Sequence, residues 1–176
     1  MNKAEFQIYV ASLTDYNNGV LHGEWIKLDG HDSDTLKEAV GTMLSKSPTA
    51  ARLNALAEEY AIHDSEFGGI DIGEYESFHR IIDIYERLPD DEDDLKVCLA
   101  YCDYMGQSNL NHALDLWEDA YYGRYDSKRE FAEEYVDEFI SDLPDWLACH
   151  INYDSLAESL FVSEYHFNDG FVFMDV

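Results

Sequence analysis

Negative charge runs through every part of this chain, and any fold it adopts must hold together against that repulsion. Acidic residues outnumber basic ones 38 to 11, for a formal net charge of -27. Residues 1–70 hold 11 acids and 5 bases, 71–105 hold 11 and 3, and 106–176 hold 16 and 3. The segment nets of -6, -8 and -13 exclude a detachable acidic tail as the source. Acidic chains poor in aromatics stay disordered because they bury too little apolar surface to offset chain entropy. Here 46% of residues are hydrophobic, with 13 Tyr, 9 Phe and 3 Trp, so a core can form despite self-repulsion. A length of 176 residues allows one core or two small ones.

Duplex DNA provides the yardstick, at about one charge per 1.7 Å of axis. A compact chain of this length is roughly 40 Å across, so a net charge of -27 comes to about one per 1.5 Å. The start from Met1 to Glu5 leads straight into an alternating segment, without the apolar stretch of a secretory signal. No apolar run approaches the roughly 20 residues of a membrane span. Cys98, Cys102 and Cys149 are odd in number and lack disulfide-framework spacing, which fits a reducing compartment. The expectation is a soluble, cytoplasmic protein with no membrane partner.

Hydrophobic periodicity divides the chain into elements. Phe6, Ile8 and Val10 alternate with Gln7, Tyr9 and Ala11, and Asn17-Asn18-Gly19 precedes a second run from Val20 to Leu28. This predicts a β-hairpin with an Asn-Gly turn. Asp34 or Ser33 then caps a helix with Leu36, Val40, Met43 and Leu44 on one face, ending near Pro48. Leu53, Leu56, Ala57 and Tyr60 have helical spacing, and residues 59–67 alternate as a third strand. Gly68-Gly69 and Gly73 mark a boundary, after which the stripes are helical. These are Tyr75, Phe78, Ile82 and Tyr85; Leu95, Cys98, Cys102 and Met105; and Leu110, Ala113, Leu114, Trp117 and Tyr121.

Ser127 and Glu130 have capping-box spacing ahead of an apolar face of Phe131, Tyr135, Val136, Phe139, Ile140 and Leu143. Asp154 or Asn152 opens a short helix through Leu160, and the run from Tyr165 to Met174 around Asn168-Asp169-Gly170 closes as a hairpin. The expected class is α+β in three small modules. Residues 1–70 form an N-terminal antiparallel sheet with a helix, 71–105 a central helical module, and 106–176 a C-terminal module of helices with a short hairpin.

The last long helix carries Glu130, Glu133, Glu134, Asp137, Glu138 and Asp142 on its outer face. From Asp126 to Asp145 there are 8 acids in 20 residues, or one per about 3.7 Å of helix axis. The phosphates of one DNA strand are spaced at roughly 3.4 Å. An ordinary solvated face is the plain alternative, yet such faces mix signs through i,i+4 pairs. No Lys or Arg occurs from 130 to 176, and the nearby bases Arg124, Lys128 and Arg129 all lie at the helix start. That one-signed face suits a basic partner.

Other clusters read as structural. Asp90 to Asp94 fails the EF-hand pattern, with Leu95 in place of Gly at the sixth position and Tyr101 in place of Glu at the twelfth. Those acids suit the positive end of a helix dipole. Cys98 and Cys102 share an apolar stripe and read as small buried hydrophobes. His22, His63 and His150 do not complete a metal or catalytic motif, and there is neither a phosphate loop nor a nucleophile elbow. The missing basic patch disfavours direct nucleic-acid binding. No cofactor, metal or enzymatic activity is expected.

Three stretches carry a family resemblance. Ile8-Tyr9-Val10-Ala11-Ser12-Leu13-x-x-Tyr16-Asn17 with Gly23-x-Trp25, then Glu59-Tyr60-Ala61-Ile62-His63-Asp64, and the segment from Ile72-Gly73-Glu74 to Leu88-Pro89 together resemble the ArdA antirestriction family. The stretch from Ala120-Tyr121-Tyr122-Gly123-Arg124-Tyr125 to Glu134 is the best match to that family's antirestriction motif. The resemblance implies a protein of conjugative elements and phages that mimics DNA, built as an elongated monomer of three modules and forming a homodimer through its C-terminal region. It implies stoichiometric occupation of the DNA-binding groove of type I restriction-modification enzymes, without catalysis.

Charge then supplies the expected partner-binding carboxylates. They are Asp90, Asp91, Glu92, Asp93, Asp94, Asp115, Glu118, Asp119, Asp126, Glu130, Glu133, Glu134, Asp137, Glu138, Asp142 and Asp145. Competing readings are an acidic module for another basic DNA-binding protein, a halophile protein whose acidity is solvent adaptation, and a carboxylate-metal hydrolase.

Overall fold

Alternation in strand β1 (Gln7–Ser12) sends Ile8 and Val10 into the core, both without solvent exposure, while Tyr9 pairs across the sheet with Trp25. In this computed structural model, which describes residues 2–140 and 143–176, β1 is the central strand of an antiparallel sheet. The order is β2-β1-β3, with β2 at Gly23–Lys27 and β3 at Tyr60–Glu66. Gly23 lies opposite Ala11, where a Cβ would stand 2.6 Å from the Val10 carbonyl oxygen. The glycine of the Gly-x-Trp spacing is therefore a packing requirement.

β1 and β2 pair as the alternation predicts, but no two-residue hairpin joins them. Helix α1 (Leu13–Tyr16) intervenes, capped by Ser12 Oγ accepting from Asp15 N. Asn17-Asn18-Gly19 closes that helical turn, because the Asp15 carbonyl accepts the amides of both Asn18 and Val20. Gly19 supplies the positive φ of 72° this needs.

Helix α2 (Ser33–Leu44) buries Leu36, Val40, Met43 and Leu44, the stripe its spacing predicts. Full burial of each such side chain contributes about 1.5–3 kcal/mol. Its cap is Asp32, one residue before the expected pair, since Asp32 and Thr35 satisfy each other's backbone amides. Pro48 does not end this helix but opens the next, α3 (Pro48–Leu53), behind the Ser47 cap. The helical spacing of Leu53, Leu56, Ala57 and Tyr60 is thus misleading. Asn54 turns left-handed at φ 52° and ends the helix, leaving Leu53 and Leu56 exposed.

One buried carboxylate pins α1 to α3. Asp15 has no solvent exposure, and its Oδ1 accepts from Thr49 N (2.9 Å) at the start of α3. Burial by itself would raise the carboxyl, but the side chains of Ser47, Ser12 and Thr49 and the Thr49 amide hold it well below the ordinary range.

Helix α4 (Phe78–Arg87) starts at the Ser77 cap and buries Phe78, Ile81, Ile82 and Ile84. Tyr75, read as part of its stripe, precedes the cap and is 72% exposed. Lys3 is buried across the other end of α4. Its ammonium donates to the Leu88 carbonyl and to Asp90 Oδ1 and lies over the Tyr85 ring.

The chain divides into two compact units, residues 1–99 and 100–176, with the division inside α5 (Glu92–Met105). In the second unit, α6 (Leu110–Ala120) buries Leu110, Ala113, Leu114 and Trp117. Tyr121, read as the end of that stripe, instead begins strand β4 (Tyr121–Arg124), paired with Phe173. After α7 (Lys128–Phe139), α8 (Asp145–Ala148) and α9 (Tyr153–Ser163), strands β5 (Tyr165–Asn168) and β6 (Phe171–Met174) form the expected closing hairpin. Asp169 and Gly170 turn it at φ 48° and 83°, the positive values of a two-residue turn.

Strand β6 is the middle of the sheet β4-β6-β5. Against it sits Phe131, 1% exposed and ringed by Tyr122, Tyr125, Phe161 and Tyr165. The architecture is α+β: nine α-helices and two antiparallel three-stranded sheets among the described residues. No helix among them is long and apolar enough to cross a membrane.

Candidate carboxylate interface

Helix α7 turns Phe131, Ala132 and Val136 into the core, which forces its acids outward. Glu130, Glu134, Asp137 and Glu138 are exposed, and Glu133 is half-buried. The helix ends at Phe139, so the uniform rise expected up to Asp145 does not apply to the whole run. Phe139 and Ile140, expected on the apolar face, are exposed because the last turn runs past the core. Glu130 to Glu138 places five carboxylates on about 12 Å of axis. Asp142 lies outside the described residues, as does the side chain of Asp145.

The capping-box spacing is realised with one shift. Ser127 Oγ accepts from Glu130 N (3.1 Å), but the Glu130 carboxylate accepts from Asp126 N (2.6 Å) in place of Ser127 N. The bases at the helix start are occupied locally. Arg129 donates to Glu133 (2.8 Å) and to Asp154 (2.9 Å), and Lys128 lies over the Phe161 ring.

Two tyrosines of the β4 region hold the outer carboxylates. Tyr122 donates its hydroxyl to Glu138 Oε2 (3.0 Å) and Tyr125 to Glu134 Oε1 (3.4 Å). Burial, together with those hydrogen bonds and the carboxylates' charges, pushes both hydroxyls above their ordinary pKa. A phenol orients a carboxylate without cancelling its charge, as a lysine would. The contact is not legible in the sequence, because nothing in residues 121–125 signals a strand whose partner, β6, lies some fifty residues on. The Tyr-Tyr-Gly-Arg-Tyr composition was the one available hint.

On α6, Asp115, Glu118 and Asp119 are exposed on the face opposite the buried stripe. In the first unit, Asp90 to Asp94 are all exposed but serve local roles as well. Asp90 pairs with Lys3 (2.9 Å), Asp91 accepts from the amides of Asp93 and Asp94, and Asp93 pairs with Lys96 (2.7 Å). Asp91 thereby caps α5, the dipole role its position predicts. Among the described residues no group of His, Cys, Asp or Glu could hold a metal ion. Cys98 and Cys102 are buried and Cys149 is exposed.

A chain-long acidic surface on a mixed fold is open to several interpretations, and a family match narrows them. The family model for antirestriction protein (ArdA) matches residues 8–173. The chain belongs to the ArdA family. The match takes in every α-helix among the described residues and both sheets except their end residues Gln7 and Met174, so membership rests on both units. ArdA proteins are antirestriction proteins, and interference with restriction enzymes is accordingly the function of the chain. No curated protein matches it. The ArdA match also spans the tyrosine-tethered carboxylates.

Proposed function

We propose that the protein is a DNA mimic that occupies the DNA-binding groove of a type I restriction-modification enzyme and so blocks restriction of incoming DNA. The observation that carries this reading is the α7 face. Five carboxylates spread over about 12 Å approach the phosphate interval of one DNA strand, roughly 3.4 Å. Lys and Arg side chains that normally displace counterions from phosphates would meet fixed carboxylates in their place. Action is by occupancy, with no bond made or broken.

The test is competition. With a purified type I enzyme and labelled duplex, the protein should displace DNA at near-equimolar amounts, and excess duplex should displace the protein. Restriction of unmodified DNA should fall in cells carrying the gene. Binding to the enzyme that leaves DNA bound would defeat the mimic reading and favour an acidic module for another basic protein.

The same proposal has the protein acting as a homodimer through its C-terminal module. Phe139, Trp146 and Val162 of that module are 57%, 69% and 81% exposed and so open to contact with a second copy. Trp146→Ser combined with Val162→Ser should weaken the dimer about tenfold or more in sedimentation equilibrium. An unchanged association constant would remove this segment from the interface.

A further inference from the structure

The three stretches that carry the family resemblance meet at a place the α7 face does not explain. Tyr16 at the end of α1 and Asn17 just after it, Ile62 and His63 from β3, and Glu74 and Tyr75 from the loop before α4 wall an open cavity of about 680 Å³ within the first unit. The loop is fixed to the strand by Ile62 N donating to the Glu74 carbonyl (2.8 Å). Tyr16 and Tyr75 are 55% and 72% exposed, and the Tyr16 ring meets His63 edge-on at 4.9 Å. Neither tyrosine is needed to fill the core. Glu74 lines the cavity beside Tyr75, and its hydrogen bond and charge raise the pKa of the Tyr75 hydroxyl.

Exposed π-faces beside carboxylates attract a cation and repel phosphate. Of the two basic side chains, the guanidinium suits the cavity better. It is planar, stacks on tyrosine and can bond a carboxylate through two N–H groups at once, whereas an ammonium is a strongly hydrated point charge.

We propose that this cavity receives an arginine side chain of the basic protein partner, its guanidinium against the Tyr16 and Tyr75 rings and paired with Glu74. The proposal rests on the reading that the partner presents a Lys- and Arg-lined groove. It adds to that reading one specific contact that ordinary phosphate mimicry does not supply.

The experiment uses the full chain alone, so that it does not depend on any restriction enzyme. Acetyl-Gly-Arg-Gly-amide is titrated at about 150 mM salt, which suppresses diffuse attraction to the acidic surface. Backbone amide shifts of Ile62, His63, Glu74 and Tyr75 are followed, with the citrulline and lysine analogues as controls. The arginine peptide should shift these amides and bind about tenfold tighter than the citrulline peptide and several-fold tighter than the lysine peptide. Tyr16→Leu, Tyr75→Leu and Glu74→Gln should each weaken binding about three- to tenfold. Tyr16→Phe and Tyr75→Phe should keep it, and the melting temperature should not move.

Equal binding of arginine and citrulline, equal binding of arginine and lysine, or leucine variants that bind normally would overturn the proposal. Inhibition of a type I enzyme by a protein whose cavity ignores arginine would also remove the cavity and leave the mimic standing. Arginine binding by a protein that inhibits no type I enzyme would remove the mimic and leave the guanidinium site.

Discussion

Converting Glu130, Glu133, Glu134, Asp137 and Glu138 together to glutamine or asparagine should weaken inhibition of a type I enzyme about a hundredfold, while Glu134→Gln alone costs only about two- to fivefold. Each exposed charge contact is worth a small factor, and five such factors multiply. The variant should also show a shallower dependence of log affinity on log salt, since fewer charges take part. Competition titrations at several salt concentrations measure both quantities. The core side of α7 is untouched and self-repulsion falls, so the fold should be retained or gain stability. A single neutralisation that abolishes inhibition in a folded protein would sink the distributed model. Tyr122→Phe separates placement from amount, because it keeps every charge and frees only Glu138. A loss of a few-fold there would mean that where the carboxylates are held matters as well as how many there are.

The largest effect on stability should come from Asp15, a residue with no part in the charged surface. Asp15→Ala strips the acceptor from Thr49 N in a site closed to water. Leaving that buried amide unpaired costs about 1–3 kcal/mol, and a loss of about that size is expected in chemical denaturation.

The pH dependence has a definite sign. Asp15 in the folded chain is held below its ordinary value of 3.8, so its contribution is fully present above that pH. It is lost as pH falls through the lower, folded value. Asp15→Asn does not titrate, so the stability gap between wild type and this variant should be constant from pH 7 to about 5 and shrink below pH 4. A gap that stays constant down to pH 2 would show that the carboxyl is not held low.

Elements whose apolar residues repeat within a few positions were legible without coordinates. The stripes of α2 and α5, the core side of α7 and the β5–β6 hairpin rest on contacts set by local spacing and a glycine turn. Where the expectation failed, either a distant strand partner or a local helix stop or start decided. Tyr121 leaves its helical stripe because β6 offers pairing, and Leu53 and Leu56 stay exposed because Asn54 ends α3. Tyr75 has the spacing of a core residue but sits ahead of the Ser77 cap. The acids of α7 were readable as an outward face, while the hydroxyls that hold two of them were not. Tyr122 and Tyr125 come within reach only after the chain has turned back through β4.

That this chain is acidic from end to end, carries enough aromatic surface to fold regardless, and resembles the ArdA family in three stretches is plain from the order of its residues. Those are properties of composition and short spacing, and they survive any rearrangement of the elements. Tertiary structure decided which charges are still available to a partner. It spends Asp90 on Lys3, Asp91 on the start of α5 and Asp15 on the start of α3, and it fixes Glu134 and Glu138 beneath tyrosine hydroxyls. The physical reason is that charge adds up along a chain without regard to order, whereas a carboxylate's partners depend on which backbone amides and hydroxyls folding brings within about 3 Å.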